Sequence, residues 1–294
     1  QPVWEGTLAN TSVTTFLLNL FPSNIIKSMA DGNILPTIVF TMLLAIAIVA
    51  VGKKADPLKE GINSLSEVIF KLLDIVMETT PLGVMSLMAF SVAKYGPGMF
   101  TALGKYILTC WLACLLVFIV VMFIPTILYT GISPRKFLSG AGKIALMTMS
   151  TTSSAATLPT TIKVSVEEFK APRSISEFTL PLGCTINMCG GAASFSCLAV
   201  FVADFYGLQL SLPSLVGMVV VATLINMAAP GIPGGGIVLG ASFLSIFGLP
   251  FDLMGPIAAF YRLLDMAFTT LNVEGDIAAN LMISKSEKMW NKDL

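Results

Sequence analysis

The sequence predicts an all-α membrane protein, and three observations carry that prediction. Only 12% of the 294 residues are charged, 55% are hydrophobic, and the mean hydropathy is +0.85; soluble domains carry about 25% charged residues. Apolar runs near the roughly 20 residues that a spanning helix needs recur along the chain. Lys and Arg gather in short clusters between these runs, as they do in cytoplasmic loops. A formal net charge of zero argues against a nucleic-acid partner, since phosphate binding needs clustered basic side chains.

Each segment can be taken in order. Leu17 to Ala30 is short and carries Lys27, so it reads as a half-helix or an interfacial piece. Gly32 to Gly52 is a charge-free span. Lys59 to Tyr95 is expected to be one tilted helix, because Lys71, Asp74 and Glu78 recur at helical intervals and give it one wet or protein-facing side. Tyr106 to Pro134 is a second span. Ile144 to Ile162 is charge-free yet full of Ser and Thr. Phe178 to Ala203 is a span interrupted by Thr185-Ile-Asn-Met-Cys-Gly-Gly191. Phe205 to Phe251 lacks charge but is broken by Ala229-Pro-Gly-Ile-Pro-Gly-Gly-Gly236. Asp252 to Ser284 is apolar, with Arg262, Asp265, Asn272, Glu274 and Asp276 set into it.

The basic clusters constrain the topology. Lys53, Lys54 and Lys59 follow the first span, and Lys285, Lys288 and Lys292 form a tail expected on the cytoplasmic side. Arg135, Lys136 and Lys143 precede the Ser/Thr-rich run, while Lys163, Lys170 and Arg173 follow it. Both flanks therefore face the cytoplasm, yet the run is too short for two crossings at about 1.5 Å per residue. A re-entrant helical hairpin satisfies both constraints. The same count puts both ends of Phe205 to Phe251 outside. Its length allows two full helices, but the Gly/Pro core favours a second hairpin, since an unwound stretch leaves backbone unpaired in lipid. Two interrupted segments in matching halves mark an inverted-repeat transporter, with its site where half-helix ends meet near the midplane. Helix N-termini there suit anions and freed carbonyls suit cations.

Other chemistries find little support. The five cysteines (Cys110, Cys114, Cys184, Cys189, Cys197) show no C-x-x-C spacing and the chain has no histidine, which speaks against zinc or haem. No nucleophile–base pair is visible, so an enzyme is not expected. The start, Gln-Pro-Val-Trp, shows neither an initiator Met nor a signal-peptide pattern, and an upstream segment is expected to be absent.

The interrupted segments resemble the dicarboxylate/amino acid:cation symporter family, the glutamate-transporter type. Asn33-Ile-Leu-Pro-Thr-Ile, Ser153-Ser-Ala-Ala-Thr-Leu-Pro159, Pro181-Leu-Gly-Cys-Thr-Ile-Asn-Met-Cys-Gly-Gly191, Pro230-Gly-Ile-Pro-Gly-Gly-Gly236 and Asp265-Met-Ala-Phe-Thr-Thr-Leu-Asn-Val-Glu-Gly-Asp276 follow one another as the family's motifs do. The resemblance implies a glutamate-transporter-like fold with two opposed re-entrant hairpins, about 135–168 and 211–250, and an inverted repeat. It implies a homotrimer moving by an elevator mechanism, with scaffold segments in 1–100 and a transport domain in 101–294. It also implies that this chain lacks the family's first three transmembrane segments, and that the protein lies in the cell's inner (plasma) membrane.

Site residues follow from the same resemblance. A first Na+ site falls on Gly183, Asn187, Asn272 and Asp276; a plain interhelical or capping pair is the alternative for the last two. A second falls on Thr185, Met188, Asn226, Met227 and Ala229. The third site's carboxylate position holds Cys189, a poor Na+ ligand, so a third cation is expected to be lost. Proton coupling stays open, with Glu274 a candidate carrier. Substrate contacts are expected from Asp265, Thr269, Asn272, Ser153, Ser154 and Gly231. Gly191 stands where the family usually has Thr, which is expected to open space beside the substrate. The family arginine that clamps a side-chain carboxylate falls on Phe268, which cannot form such a fork. Arg262 either pairs with Asp265 or reaches the pocket from a new position. The expectation is an Na+-coupled symporter for a small neutral amino acid. The alternatives are an acidic amino acid or dicarboxylate, with H+ in place of Na+, and, in a different class, an anion channel or a transport-inactive homologue.

Overall fold

The computed structural model describes residues 21–227 and 234–290, which fall into two compact units meeting in sequence between Gly96 and Pro97. Among the described residues all regular structure is helical.

In the first unit, α1 (Ile25–Ala30) starts where the Asn24 side chain accepts the Lys27 amide at 3.0 Å, an N-cap bond. None of the described side chains of α2 (Ile34–Val51) is buried, and Met42, Leu43, Ile46 and Val49 are exposed; a helix apolar all round belongs in lipid or a core. One 3-10 turn (Gly52–Ala55) leads directly into α3 (Asp56–Met77). Lys53, Lys54 and Lys59 thus sit on helical turns rather than in a loop. The single helix expected from Lys59 to Tyr95 is in fact two. α3 stops at Met77 and α4 (Thr80–Tyr95) begins with Pro81 in its first turn. Proline lacks the N–H that would continue the ladder and clashes with the turn before it, so it opens a helix but breaks one running through.

The second unit begins with α5 (Gly98–Val117), a π turn (Phe118–Phe123) and α6 (Ile124–Thr130), one unbroken helical stretch. Pro125 withholds the N–H that the carbonyl one turn earlier would receive, and the ladder widens there. Gly131, at φ 72°, ends the stretch.

The Ser/Thr-rich run forms a helical hairpin longer than its charge-free core. α7 (Pro134–Thr151) and α8 (Ser154–Glu167) are parted by two residues, Thr152 at φ 49° and Ser153 in extended conformation. Its hydroxyls satisfy the break's own backbone: Ser153 Oγ accepts the Ala156 amide at 3.2 Å, and Thr157 Oγ1 donates to the Ser153 carbonyl at 2.8 Å. At the open end Lys143 pairs with Glu168 at 2.8 Å, and the Phe137 and Phe169 rings stack 5.9 Å apart.

α9 (Arg173–Ile186) and α10 (Cys189–Tyr206) are one span interrupted at Asn187 and Met188, inside the predicted Thr185–Gly191 window. α11 (Leu212–Asn226) and α12 (Gly235–Ile246) pack on each other as the arms of the second interrupted segment. With 15 and 12 residues, these arms are about 22 and 18 Å long, short of a bilayer core of about 30 Å. The linking tip, with Ala229 and Gly231, lies outside the described residues.

The last helix, α13 (Met254–Ser286), is the unit's axis. It packs against α5, α6, α7, α8, α9, α10 and α12. Around its C-terminal half Val273, Ile277 and Leu281 join Phe137, Ile144 and Phe169 in an apolar core, which Trp290 closes by donating Nε1–H to the Phe169 carbonyl at 2.8 Å. Because neighbours surround it, α13 buries Asp265, Thr269, Asn272, Glu274, Asp276, Asn280 and Ser284, side chains that lipid would reject.

Candidate functional site: a polar seam at the helix breaks

The break between α9 and α10 lies against the middle of α13. Asn187, freed from the helix, donates its Nδ2–H to Asp276 Oδ1 at 2.8 Å and to the Asn272 carbonyl at 3.0 Å. Asn272 Oδ1 accepts the Gly190 amide at 2.7 Å, and its Nδ2–H points to the Met188 sulfur at 3.3 Å. Gly183 closes the cluster: a Cβ there would run into the Asp276 carboxylate. The four residues expected to form a first cation site therefore stand together, with carbonyl, amide and carboxylate oxygens available, a hard donor set suited to an alkali cation.

The positions named for a second site are dispersed in their bonding. Thr185 Oγ donates back to the Leu182 carbonyl at 2.7 Å, the Met188 sulfur is engaged by Asn272, and Met227 is exposed. Asn226 is buried and donates to the Ala222 carbonyl at 2.8 Å. Its Oδ1 fills the place that a side chain at Gly191 would take. The expectation that Gly191 opens free space is corrected: Asn226, from another helix, occupies it. Cys189 Sγ lies 3.7 Å from the Leu271 carbonyl and 3.8 Å from Asn272 Oδ1, a thiol turned toward oxygens where the family pattern has a carboxylate.

Nearer the start of α13, Thr269 Oγ1 donates to Asp265 Oδ1 at 3.1 Å, and the Gly234 amide at the second segment's tip donates to Asp265 Oδ2 at 3.3 Å. The first hairpin reaches the same stretch, through Thr148 and Thr270, whose hydroxyls are 2.7 Å apart. Arg262 does not take the first route foreseen for it, an ion pair with Asp265. Its Nη2–H donates to the Ser150 carbonyl at 2.8 Å, which ties the hairpin's end to α13, and no ion pair to Asp265 forms within 4.0 Å among the described residues. Ser153 and Ser154 are buried at the hairpin break, with Ser153 engaged as a cap. Phe268 is 3% exposed, and its carbonyl lies against Gly190, where any Cβ would collide with it. One end of each interrupted segment, α7 through Thr148 and α12 through Gly234, thus meets the stretch from Asp265 to Thr270.

Glu274 points away from this seam. It is 3% exposed, both carboxylate oxygens lack a hydrogen-bond partner among the described residues, and it lines a mostly apolar cavity of about 260 Å³ with Trp111, Phe118 and Met149. Sequence reasoning missed Gly190, whose close approach only glycine permits. It also missed Asn280 and Thr179, one turn beyond Asp276 and Gly183.

Interrupted helices closing on buried carboxylates of a central helix define the class as a multi-helix membrane transporter. The chain belongs to the sodium:dicarboxylate symporter family, whose model matches residues 5–286. It is 32% identical, over 98% of its length, to the proton/sodium-glutamate symport protein of Bacillus subtilis (strain 168) and covers 66% of that relative. It is 33% identical over 94% of its length to the proton/glutamate-aspartate symporter of Escherichia coli (strain K12), covering 63% of it. To the C4-dicarboxylate transport protein of Rhizobium johnstonii it is 31% identical over 96% of its length, again covering 63% of the relative. The chain thus spans about two thirds of the length of the curated relatives it matches.

Proposed function

We propose that this chain carries the solute- and cation-handling part of a symporter that moves an acidic amino acid or a C4-dicarboxylate together with Na+ or H+. The substrates named for these relatives favour this class over the neutral amino acid expected from Phe268. The observation that carries the coupling is the Asn187–Asp276–Asn272 cluster: a buried carboxylate with an amide partner and, among the described residues, no cationic side chain paired to it is tolerated at depth when Na+ or H+ neutralises it. In this reading Gly183, Asn187, Asn272 and Asp276 hold the first cation, and Thr185, Met188, Asn226, Met227 and Ala229 form a weaker second site. Asp265, Thr269, Asn272, Ser153, Ser154 and Gly231 contact the solute. The two interrupted segments are re-entrant hairpins entering from opposite faces. Residues 1–100 belong to a scaffold and 101–294 to a domain that moves as an elevator within a homotrimer, in the inner membrane with the C-terminus cytoplasmic.

A second reading, a neutral amino acid, is favoured by one observation: Phe268 is buried where the family pattern has an arginine. Uptake by the purified protein in liposomes separates the two. Labelled glutamate, aspartate, succinate, alanine and serine would be offered under an inward Na+ gradient, an inward H+ gradient, or neither. Gradient-driven uptake of acidic solutes supports the proposal, and uptake confined to alanine and serine supports the second reading. Gradient-independent anion flux, or no flux at all, sinks both.

A further inference from the structure

Beyond the cation cluster the seam between α9 and α13 carries a second polar contact. Thr179 Oγ1 donates to Asn280 Oδ1 at 2.7 Å, sharing its hydrogen with the Ile175 carbonyl at 2.9 Å, and Asn280 Nδ2–H donates to Ser176 Oγ at 3.2 Å. Ser176 and Asn280 are fully buried. Thr179 precedes Gly183 by one turn of α9, and Asn280 follows Asp276 by one turn of α13. The contact therefore lies on the same helix–helix line as the cluster, one turn farther along. Between it and the cluster α9 is weak. Pro181 sits inside the helix and leaves the Glu177 carbonyl without its usual donor, and the helix ends soon after, at Ile186. With that hydrogen bond missing, the last turn of α9 takes its distance from α13 from side-chain contacts, Thr179 before the proline and Asn187 beyond it.

We infer that Thr179 and Asn280 are positioning residues for the cation cluster: by pinning α9 to α13 just before the proline, they fix how far the Gly183 backbone stands from the Asp276 carboxylate. This deepens the proposed function and rests on its cation reading. An interhelical hydrogen bond of this kind within a membrane is worth roughly three- to twenty-fold in an equilibrium constant.

The test uses the intact protein in detergent, titrated with NaCl against choline chloride at constant ionic strength, with melting temperature as the readout. Thr179→Val removes the hydroxyl at nearly constant volume, Thr179→Ser keeps it, and Asn280→Leu removes the amide. The expected result is a Na+ midpoint raised roughly three- to twenty-fold in Thr179→Val and restored in Thr179→Ser, with a changed Li+-to-Na+ preference in Thr179→Val. A purely structural bond would instead lower the Na+-free melting temperature and leave midpoint and preference unmoved; that outcome overturns the inference. Should the parent protein itself show no Na+ response, the Na+ form of the cation reading falls and takes the inference with it. An unchanged midpoint in Thr179→Val against a responsive parent removes the inference alone. Since Thr179→Val is nearly isosteric, it keeps the test decisive if Asn280→Leu does not fold.

Discussion

Gly183→Ala is the sharpest perturbation of the cation cluster, because it adds one methyl and no new chemistry. The added Cβ would stand 2.7 Å from Asp276 Cγ and 3.2 Å from Asp276 Cβ, with Oδ1 closer still. Non-bonded carbons rest at about 3.5–4.0 Å, so the carboxylate must retreat by about 1 Å. The Asn187 Nδ2–H bond to Asp276 Oδ1 is 2.8 Å long and does not survive a retreat of that size, given an upper limit of about 3.2 Å. Overpacking of this kind costs about 1–3 kcal/mol, or roughly a five- to 150-fold weaker cation affinity if the cost falls on the bound form. Gly142→Ala is the control. A Cβ there meets nothing within 4 Å, and an alanine in a helix interior gains up to about 1 kcal/mol over glycine. The assay is the rise in melting temperature with NaCl at constant ionic strength, since a ligand that binds only the folded state stabilises it by mass action. The expected outcome is a strongly weakened Na+ response in Gly183→Ala and a parental one in Gly142→Ala. Equal responses in both would refute the claim that Asp276 and the α9 end form a cation site.

Three further outcomes are expected. Gly191→Thr should destabilise the protein by about 1–3 kcal/mol through overpacking against Asn226, and Asn226→Ala in the same chain should recover most of that loss; thermal melting of the two variants checks it. Phe268→Arg should raise uptake of acidic solutes relative to neutral ones in liposomes, because a guanidinium fork is the usual carboxylate clamp; an unchanged ratio would remove Phe268 from the specificity argument. Glu274→Leu should raise the melting temperature, since a buried carboxylate without partners forfeits about 1–3 kcal/mol or more, and a lower melting temperature would reveal a partner supplied from outside the described residues.

The breaks were the most legible part of the sequence. Thr152 and Ser153 part the first hairpin within the Ser/Thr run, and Asn187 and Met188 part α9 from α10 just before a Gly-Gly pair. In both places the residues that cannot or need not continue a helix announce themselves locally. Pro81, which opens α4, is an equally local signal, although the spacing of Lys71, Asp74 and Glu78 suggests one continuous helix. Long-range contacts were not legible. Arg262 bonds a carbonyl 112 residues away, Thr179 bonds Asn280 across 101, and Asn226 fills the place beside Gly191. None has a local signature, because what decides each is which helix lies alongside, and the sequence of one helix does not state its neighbour.

Hydropathy misjudges the functional helix for a physical reason. The described helices apolar enough to count as membrane spans cover Pro36–Ile69, Gly98–Thr130 and Arg173–Tyr206, and α13 is not among them. Yet α13 packs on seven of its unit's helices and buries more polar side chains than any other. The solvent of α13 is protein: the ends of α9, α10 and the two interrupted segments supply the amides and carbonyls that lipid lacks. A helix so enclosed can hold Asp265, Asn272 and Asp276 on the face that meets those ends, while the lipid-facing helices carry the hydropathy. Polarity in a membrane helix therefore reports enclosure, and here the interrupted helices meet Asp265, Asn272 and Asp276 while α5 and α6 complete the enclosure. If α13 were to lose the α9–α10 break, by substitutions that made Asn187 and Met188 helical, the carboxylate at Asp276 would lose its amide partner, and the proposed cation ligand would become a liability.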